Sequence, residues 1–222
     1  MLTTEVGAGP PETCWYFSFG GNMSARTLAR RGVVPRRSCA GRLVGYHLVF
    51  SYDGYAGVEP RFANVEPTSE DDGGEGQGCH GVAHLITRDD VRRLDKYEGE
   101  GYAYRRIVVP MEPYDKKAVL ECAKVERADG LELAKPKPKA KAAGSAVAIA
   151  DAQTGKDKVD TISVYVYVAM ASHRVTPGLP SRRYLKLLVD GAEANGLDQS
   201  YIDALRVRPS FGWSGTRFPP AP

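Results

Sequence analysis

The chain has 222 residues, of which 42% are hydrophobic, so it is long and apolar enough for one domain with a core and some accessory segments. Its formal net charge of +3 is too small to favour nucleic acid as a partner. The N-terminus has neither a basic start nor an apolar run, and no segment is long enough to span a membrane. Four widely spaced cysteines without a C-x-x-C pair suit free thiols in a reducing compartment. We therefore expect a cytoplasmic protein that contacts neither membrane nor nucleic acid.

The first predicted element is a short strand that runs into two glycines and a helix. Residues 1–13 are rich in glycine and proline and predict a flexible tail, so the domain proper spans residues 14–222. Bulky residues at 15–19 favour a strand, Gly20 and Gly21 permit a sharp turn, and Asn22 or Ser24 can cap a helix over residues 25–31. This arrangement predicts a site for a carboxylate or a developing oxyanion, the alternative being a plain turn. The spacing fits neither a phosphate loop nor a dinucleotide fingerprint.

Strands are predicted over residues 42–52 and 79–86, on either side of a loop at 68–78 that is rich in glycine and acidic residues. Cys79, His80 and His84 look at first like metal ligands. Strand alternation puts Cys79 and His80 on opposite faces of the sheet, and further ligands are missing, so we expect no metal site. Ser18 and Ser181 have no evident histidine partner, which leaves a hydrolase triad unsupported.

The next helix carries the principal candidate catalytic residue. Residues 87–90 resemble a capping box, with aspartate in the position that Glu or Gln usually takes, and Gly99 ends the helix. Val91 and Leu94 define an apolar stripe that reaches Glu98 four residues later. Burial and the negative end of the helix dipole would both disfavour a charged carboxylate there, which suits a group that accepts and donates a proton. The alternative is a glutamate at the helix end that frays into water or pairs with Arg105 or Arg106.

The remaining elements complete an α+β pattern without a regular βαβ repeat. Strands are predicted over residues 105–111 and 162–169, and the second has aliphatic residues on one face and tyrosines on the other, as in a sheet covered on both sides in a small barrel. Residues 127–158 are rich in lysine, proline and alanine and predict a disordered insertion, a solvated linker in preference to a patch for an acidic partner. Ser181 begins a helix that ends at residues 195–196, and a short helix follows Asp198. We expect a compact, mixed, barrel-like sheet with a few flanking helices.

Three segments, in chain order, resemble γ-glutamylcyclotransferases. Residues 19–23 (F-G-G-N-M) resemble the Y-G-S-N-[LM] signature of the family, with Phe19 in place of tyrosine and Gly21 in place of serine. Residues 94–99 (L-D-K-Y-E-G), with Tyr104 following, resemble its L-D-x-x-E-G element and later tyrosine. Residues 180–184 and 194–197 resemble its C-terminal helix. The resemblance covers about residues 15–125 and 159–206, and the insertion departs from it.

The resemblance implies a mixed α/β barrel-like fold and a cytoplasmic enzyme that needs no cofactor or metal, and it leaves a homodimer open. The implied reaction is cyclisation of a γ-glutamyl amino acid or dipeptide to 5-oxoproline, in which the substrate's own α-amino group attacks the γ-carbonyl. The resemblance makes Glu98 the proton shuttle. It implies that the substrate is bound by Tyr16, Phe17, Ser18, Phe19, Gly20, Gly21, Asn22, Tyr104, Tyr167 and Tyr184. Two alternatives stay open: a cyclase for another amine, such as γ-glutamyl-lysine or a glutathione-type adduct, and a binding protein without turnover.

Overall fold

The computed structural model describes residues 13–55, 58–68, 78–115, 161–212 and 217–218. The predicted tail, apart from Thr13, and the predicted insertion both lie outside these ranges. Six strands form the main sheet: β1 (Thr13–Ser18), β2 (Arg37–Tyr55), β3 (Glu59–Pro67), β4 (Gly78–Thr87), β5 (Tyr104–Pro113) and β6 (Ile162–Ala169). The helices are α1 (Ala25–Arg30), α2 (Arg88–Glu98), α3 (Arg182–Ala194) and α4 (Gln199–Arg206), and the described part ends with the short strands β7 (Ser210–Phe211) and β8 (Arg217–Phe218).

The main sheet closes on itself. Its strand order is β3-β2-β4-β1-β6-β5, and β5 also pairs with β2, so five strands form a barrel with β3 attached outside the closure. β1 and β6 run parallel, whereas the other pairs in the barrel are antiparallel. The predicted α+β class with a barrel-like sheet is confirmed. Within the described ranges, no helix is both long enough and apolar enough to cross a membrane.

Two apolar layers hold the barrel and its helices together. The alternation in β6 puts Ile162, Val164, Val166 and Val168 into the interior with aromatic residues of β1, including Phe17. The opposite face of the barrel wall carries Tyr16 and Tyr167, which pack with residues of α1 and α2 such as Leu94. Since each large apolar side chain contributes about 1.5–3 kcal/mol when fully buried, both layers fix the helices firmly on the barrel. The second layer lies directly beneath the candidate site.

The local signals at α2 and α3 act as predicted. Thr87 and Asp90 form a reciprocal capping box at the start of α2, and Gly99 ends that helix in the left-handed conformation with φ of 62°. The Ser181 hydroxyl accepts a hydrogen bond from the Tyr184 N–H at the start of α3. The carboxylate of Glu59, which is buried on β3, accepts hydrogen bonds from both the N–H and the hydroxyl of Ser181. A carboxylate at a helix N-terminus is favourable, so Glu59 fastens α3 to the sheet.

Candidate active site

A cavity of about 900 Å³ opens where β1 leaves the barrel and turns toward α1. Its lining comes from the glycine turn, the end of α2, the start of β5, β2, β3, β6, α1 and α3. Most of the predicted site residues line it together: Tyr16, Phe17, Phe19, Gly20, Gly21, Asn22, Glu98, Tyr104, Tyr167 and Tyr184. Ser18, the remaining predicted site residue, does not line the cavity. The glycine turn and the carboxyl of Glu98 thus meet in one cavity although they lie far apart in the chain.

Glu98 lies at the last position of α2 and continues the stripe of Leu94, which is 1% exposed, toward the cavity. The Glu98 side chain is 17% exposed. Its Oε1 accepts a hydrogen bond of 2.9 Å from Asn22 Nδ2 and forms an ion pair with Arg31. The described residues give Oε2 no hydrogen-bond partner. Within the described part of the chain, the carboxyl is therefore held through one oxygen.

Arg31 is the partner of Glu98 that sequence reasoning missed, since Arg105 and Arg106 were the expected candidates. Its guanidinium carbon lies 5.3 Å from the ring centroid of Tyr97, a cation–π geometry that restrains the side chain. Arg106 instead pairs with Asp95, with 3.2 Å between Nε and Oδ1. Glu100 is exposed beyond Gly99, as predicted.

The turn after β1 differs in detail from the predicted turn. A 3₁₀ turn, Gly21–Met23, lies between the glycines and α1, and Ser24 is the N-cap residue of α1 without a capping hydrogen bond from its side chain. Asn22 therefore does not cap a helix. Its Nδ2 donates both to Glu98 and to the Tyr16 hydroxyl, the latter over 2.7 Å, and so joins the two side chains.

Helix α3 covers the glycines closely. A Cβ atom at Gly20 would lie 3.0 Å from the Tyr184 hydroxyl, and one at Gly21 would lie 3.1 Å from Cδ2 of Leu187. Both distances are shorter than ordinary van der Waals contacts. Leu187 therefore takes up space that a side chain at position 21 would need, which gives a physical reason for glycine where the family signature has serine. The Tyr184 hydroxyl also accepts a hydrogen bond of 3.4 Å from the Ala63 N–H.

The tyrosines of the cavity are held as neutral hydroxyl groups. Burial raises the pKa of Tyr16, Tyr104, Tyr167 and Tyr184 above the ordinary value, and the negative charge of Glu98 raises those of Tyr16, Tyr104 and Tyr184 further. Tyr167 donates a hydrogen bond of 2.7 Å to Oδ1 of Asp95, which holds its ring against the cavity. The aspartate of the L-D-K-Y-E-G segment thus orients a tyrosine from β6.

Ser18 faces a buried polar cluster outside the cavity lining. Its hydroxyl lies 3.0 Å from His84 Nε2, and the hydroxyl of Ser38 lies 2.8 Å from His84 Nδ1. The expectation that Ser18 lacks a histidine partner was wrong, because antiparallel pairing of β1 with β4 brings the two together. Ser18 is nevertheless 1% exposed, and the partner of His84 Nδ1 is the hydroxyl of Ser38, whereas a catalytic triad has a carboxylate at that position. Burial lowers the pKa of His84 to about 4, so the ring is a neutral structural group.

Four aromatic residues of the cavity were also missed: Tyr52 and Tyr55 on β2, Phe62 on β3 and Tyr97 on α2. Tyr52 stacks on Tyr104 with ring centroids 4.6 Å apart. Strand β3 was not predicted, because Pro60 and Pro67 hide its pattern.

The charges around the cavity are unequal. Two acidic side chains line it, Glu98 and Asp190. Five basic side chains also line it: Arg30, Arg31, Lys96, Arg183 and Lys186. Two of the five are paired, Arg31 with Glu98 and Lys186 with Asp190. Cys79 is buried in the barrel core while His80 lies on the other face of β4, as predicted. No cluster of three or more His, Cys, Asp or Glu side chains in the described ranges could hold a metal ion.

Comparisons with known proteins find relatives of this chain both in sequence and in fold. A model of the AIG2-like family matches residues 144–205. The γ-glutamyl cyclotransferase verK of Clonostachys rogersoniana is 32% identical over 114 residues, which are 45% of this chain and 62% of that protein. The γ-glutamyl cyclotransferase aclK of Aspergillus oryzae is 26% identical over 216 residues, 90% of this chain and 64% of that protein. The chain thus matches less than two thirds of the length of either relative.

Among solved structures, a γ-glutamyl cyclotransferase superimposes with a TM-score of 0.58 at 18% identity, over 90% of this chain and 89% of that one. At this identity the match supports the fold alone. The sequence matches and the shared fold together confirm the resemblance that the three motifs indicated.

Proposed function

We propose that this chain, which resembles γ-glutamyl cyclotransferases in sequence and shares their fold, converts a γ-glutamyl amino acid or dipeptide to 5-oxoproline and a free amine. The observation that carries the proposal is the meeting of two groups in one cavity: the carboxyl of Glu98, whose Oε2 has no hydrogen-bond partner among the described residues, and the turn at Gly20 and Gly21. A carboxyl beside backbone donors is what a cyclising amide cleavage requires, because it needs a proton carrier and a site for negative charge.

The proposed reaction starts with the α-amino nitrogen of the substrate. That nitrogen attacks the γ-carbonyl carbon and forms the new C–N bond of a five-membered ring, while the carbonyl oxygen takes up negative charge. The backbone N–H groups at Gly20 and Gly21 are the candidate donors to this oxyanion. Oε2 of Glu98 takes a proton from the attacking nitrogen and gives it to the leaving nitrogen as the original amide bond breaks. The products are 5-oxoproline and the free amine, and Glu98 returns to its starting state.

The protein's other contribution in this proposal is to hold the substrate curled. An extended γ-glutamyl chain rarely brings its amino group to its own γ-carbonyl, so a site that enforces this geometry lowers the entropic part of the barrier. Tyr16, Tyr104 and Tyr184 are neutral hydroxyl groups that suit hydrogen bonds to the substrate's polar atoms. The excess of basic side chains around the cavity favours a substrate with a carboxylate, which every γ-glutamyl compound carries on its α-carbon.

The deciding experiment incubates the purified protein with γ-glutamyl dipeptides, γ-glutamyl-lysine and a glutathione adduct and measures 5-oxoproline. We expect 5-oxoproline and the matching amine in equal amounts, without added metal or cofactor and after dialysis against a chelator. The compound that is turned over identifies the leaving amine and decides between the main proposal and a cyclase for another amine. Binding of γ-glutamyl compounds without 5-oxoproline would instead support a non-catalytic binding protein. Loss of activity after chelation, restored by zinc, would refute the metal-free mechanism.

A further inference from the structure

A continuous run of aromatic rings leads along the cavity from the candidate reaction centre to solvent. Tyr184 contacts Phe62 edge-on at 5.1 Å between centroids, and Phe62 contacts Tyr55 edge-on at 6.5 Å. Tyr52 lies 6.2 Å from Phe62 and stacks on Tyr104 at 4.6 Å with an interplanar angle of 9°. All five rings line the cavity.

The outer end of this run is not explained by core packing. Tyr55 is 72% exposed, so folding buries little of its ring and gains little from it. It nevertheless lies at the cavity, in edge contact with Phe62. By contrast, Tyr184 lies against Gly20 at the inner end, where the reaction is proposed to occur. The run therefore connects the inner part of the cavity with its mouth.

The size of the cavity also leaves room for a group beyond the γ-glutamyl part of a substrate. Its volume of about 900 Å³ lies toward the upper end of the roughly 300–1,000 Å³ that drug-sized ligands occupy. A γ-glutamyl group bound between Glu98 and the glycine turn is much smaller than that. The remaining space, walled by β2 and β3, is available to the group attached to the γ-carbonyl.

We propose that Tyr52, Tyr55 and Phe62 form the subsite for the leaving amine, and that this subsite selects amines with an aromatic side chain. The inference rests on the proposed function and adds a substrate class to it. Aromatic rings prefer offset-stacked and edge-to-face contacts with other rings, and these three residues line the cavity side by side, with Phe62 in contact with both Tyr52 and Tyr55. The stack of Tyr52 on Tyr104 holds one ring in position before the substrate arrives, so substrate binding costs little conformational entropy at this side chain.

The test compares γ-glutamyl-L-phenylalanine with γ-glutamyl-L-alanine, which share the γ-glutamyl group and the second carboxylate and differ in one phenyl ring. We expect kcat/KM for the phenylalanine substrate to be about tenfold higher or more. Tyr55→Ala and Phe62→Leu should each reduce this ratio by lowering kcat/KM for the phenylalanine substrate more than for the alanine substrate. Val207→Ala is the control, because Val207 is 54% exposed and does not line the cavity. It should leave both rates unchanged.

The outcomes separate the two proposals. Equal kcat/KM for both substrates, or a ratio that Tyr55→Ala and Phe62→Leu leave unchanged, overturns the aromatic subsite while 5-oxoproline formation still supports the cyclotransferase. A ratio that falls equally in Val207→Ala also overturns it, because the effect would then not come from the cavity wall. Absence of 5-oxoproline from every γ-glutamyl substrate refutes the proposed function, and the leaving-amine subsite with it.

Discussion

Glu98→Gln is the sharpest test of the proposed proton relay. Glutamine has the same shape as glutamate, and its single carbonyl oxygen can still accept from Asn22 and Arg31 at the position of Oε1. Its NH₂ group would replace Oε2 and cannot carry a proton back and forth. Loss of a general acid/base typically lowers the rate about 10²- to 10⁴-fold, which corresponds to about 3–5 kcal/mol of activation free energy.

The same substitution should change the free energy of unfolding much less. The side chains of Arg31 and Glu98 are 27% and 17% exposed, and ion pairs that keep contact with water are worth about 1 kcal/mol or less. In a protein of this size that corresponds to a shift in Tm of about 2–4 °C at most. A loss of turnover with a nearly unchanged Tm would therefore indicate lost chemistry and not lost structure.

The assay is 5-oxoproline formation under saturating substrate, with binding measured separately by calorimetry. Glu98→Gln should bind substrate and turn it over slowly. Glu100→Gln is the control, because Glu100 is exposed beyond Gly99 and lies two residues away. Near-normal turnover by Glu98→Gln, or inactivity of Glu100→Gln, would refute the assignment and require another proton carrier.

Three further predictions follow from the geometry. Arg31→Gln should lower kcat up to about 100-fold with little change in KM, because Asn22 alone would then hold Glu98. Arg31→Lys should recover part of the loss, and Arg26→Gln is the control, because Arg26 is exposed on α1, the helix that Arg31 caps. Acidification should destabilise the protein by about 3 kcal/mol as the pH falls from about 6.5 to about 4, because burial lowers the pKa of His84 in the folded protein to about 4, so that the unfolded chain takes up this proton first. His84→Gln should flatten this part of a curve of the urea midpoint against pH. An unchanged slope would contradict the assignment. Deleting residues 129–157 and joining the ends with a short glycine linker should leave folding and most activity intact. It should raise the free energy of unfolding by about 0.6 kcal/mol, because it roughly halves the connection between the paired strands β5 and β6. A large drop in Tm would show instead that the segment packs on the core.

The sequence predicted those features of the site that depend on local signals. The capping box at Thr87, the left-handed Gly99 and the stripe through Leu94 are all encoded within one helix, and together they gave the position of Glu98. The glycine turn was likewise recognisable from adjacent residues. The boundaries of β6 were predicted to the residue because its apolar alternation is unbroken.

The sequence did not predict side-chain partners that strand pairing and helix packing bring together. Arg31 reaches Glu98 from the C-cap of α1, and His84 reaches Ser18 across the β1–β4 pair. Nothing in the local pattern at Ser18 or Glu98 marks either partner, because both contacts depend on tertiary structure. Phe62 was missed for a different reason, since prolines at positions 60 and 67 obscure the strand that carries it.

The parallel contact between β1 and β6 has a consequence for how the protein acquires its activity. Tyr16 is paired with Tyr165, although the two residues lie far apart in the sequence, and Tyr167 lies two residues further along β6. Contacts of such long sequence separation form slowly because the chain must first lose the entropy of closing a large loop. The cavity takes residues from both strands, so it is complete only once this seam of the barrel has closed. A substrate that binds the cavity should accordingly protect the backbone amides of β1 and β6 from hydrogen exchange, although neither strand needs to change its conformation.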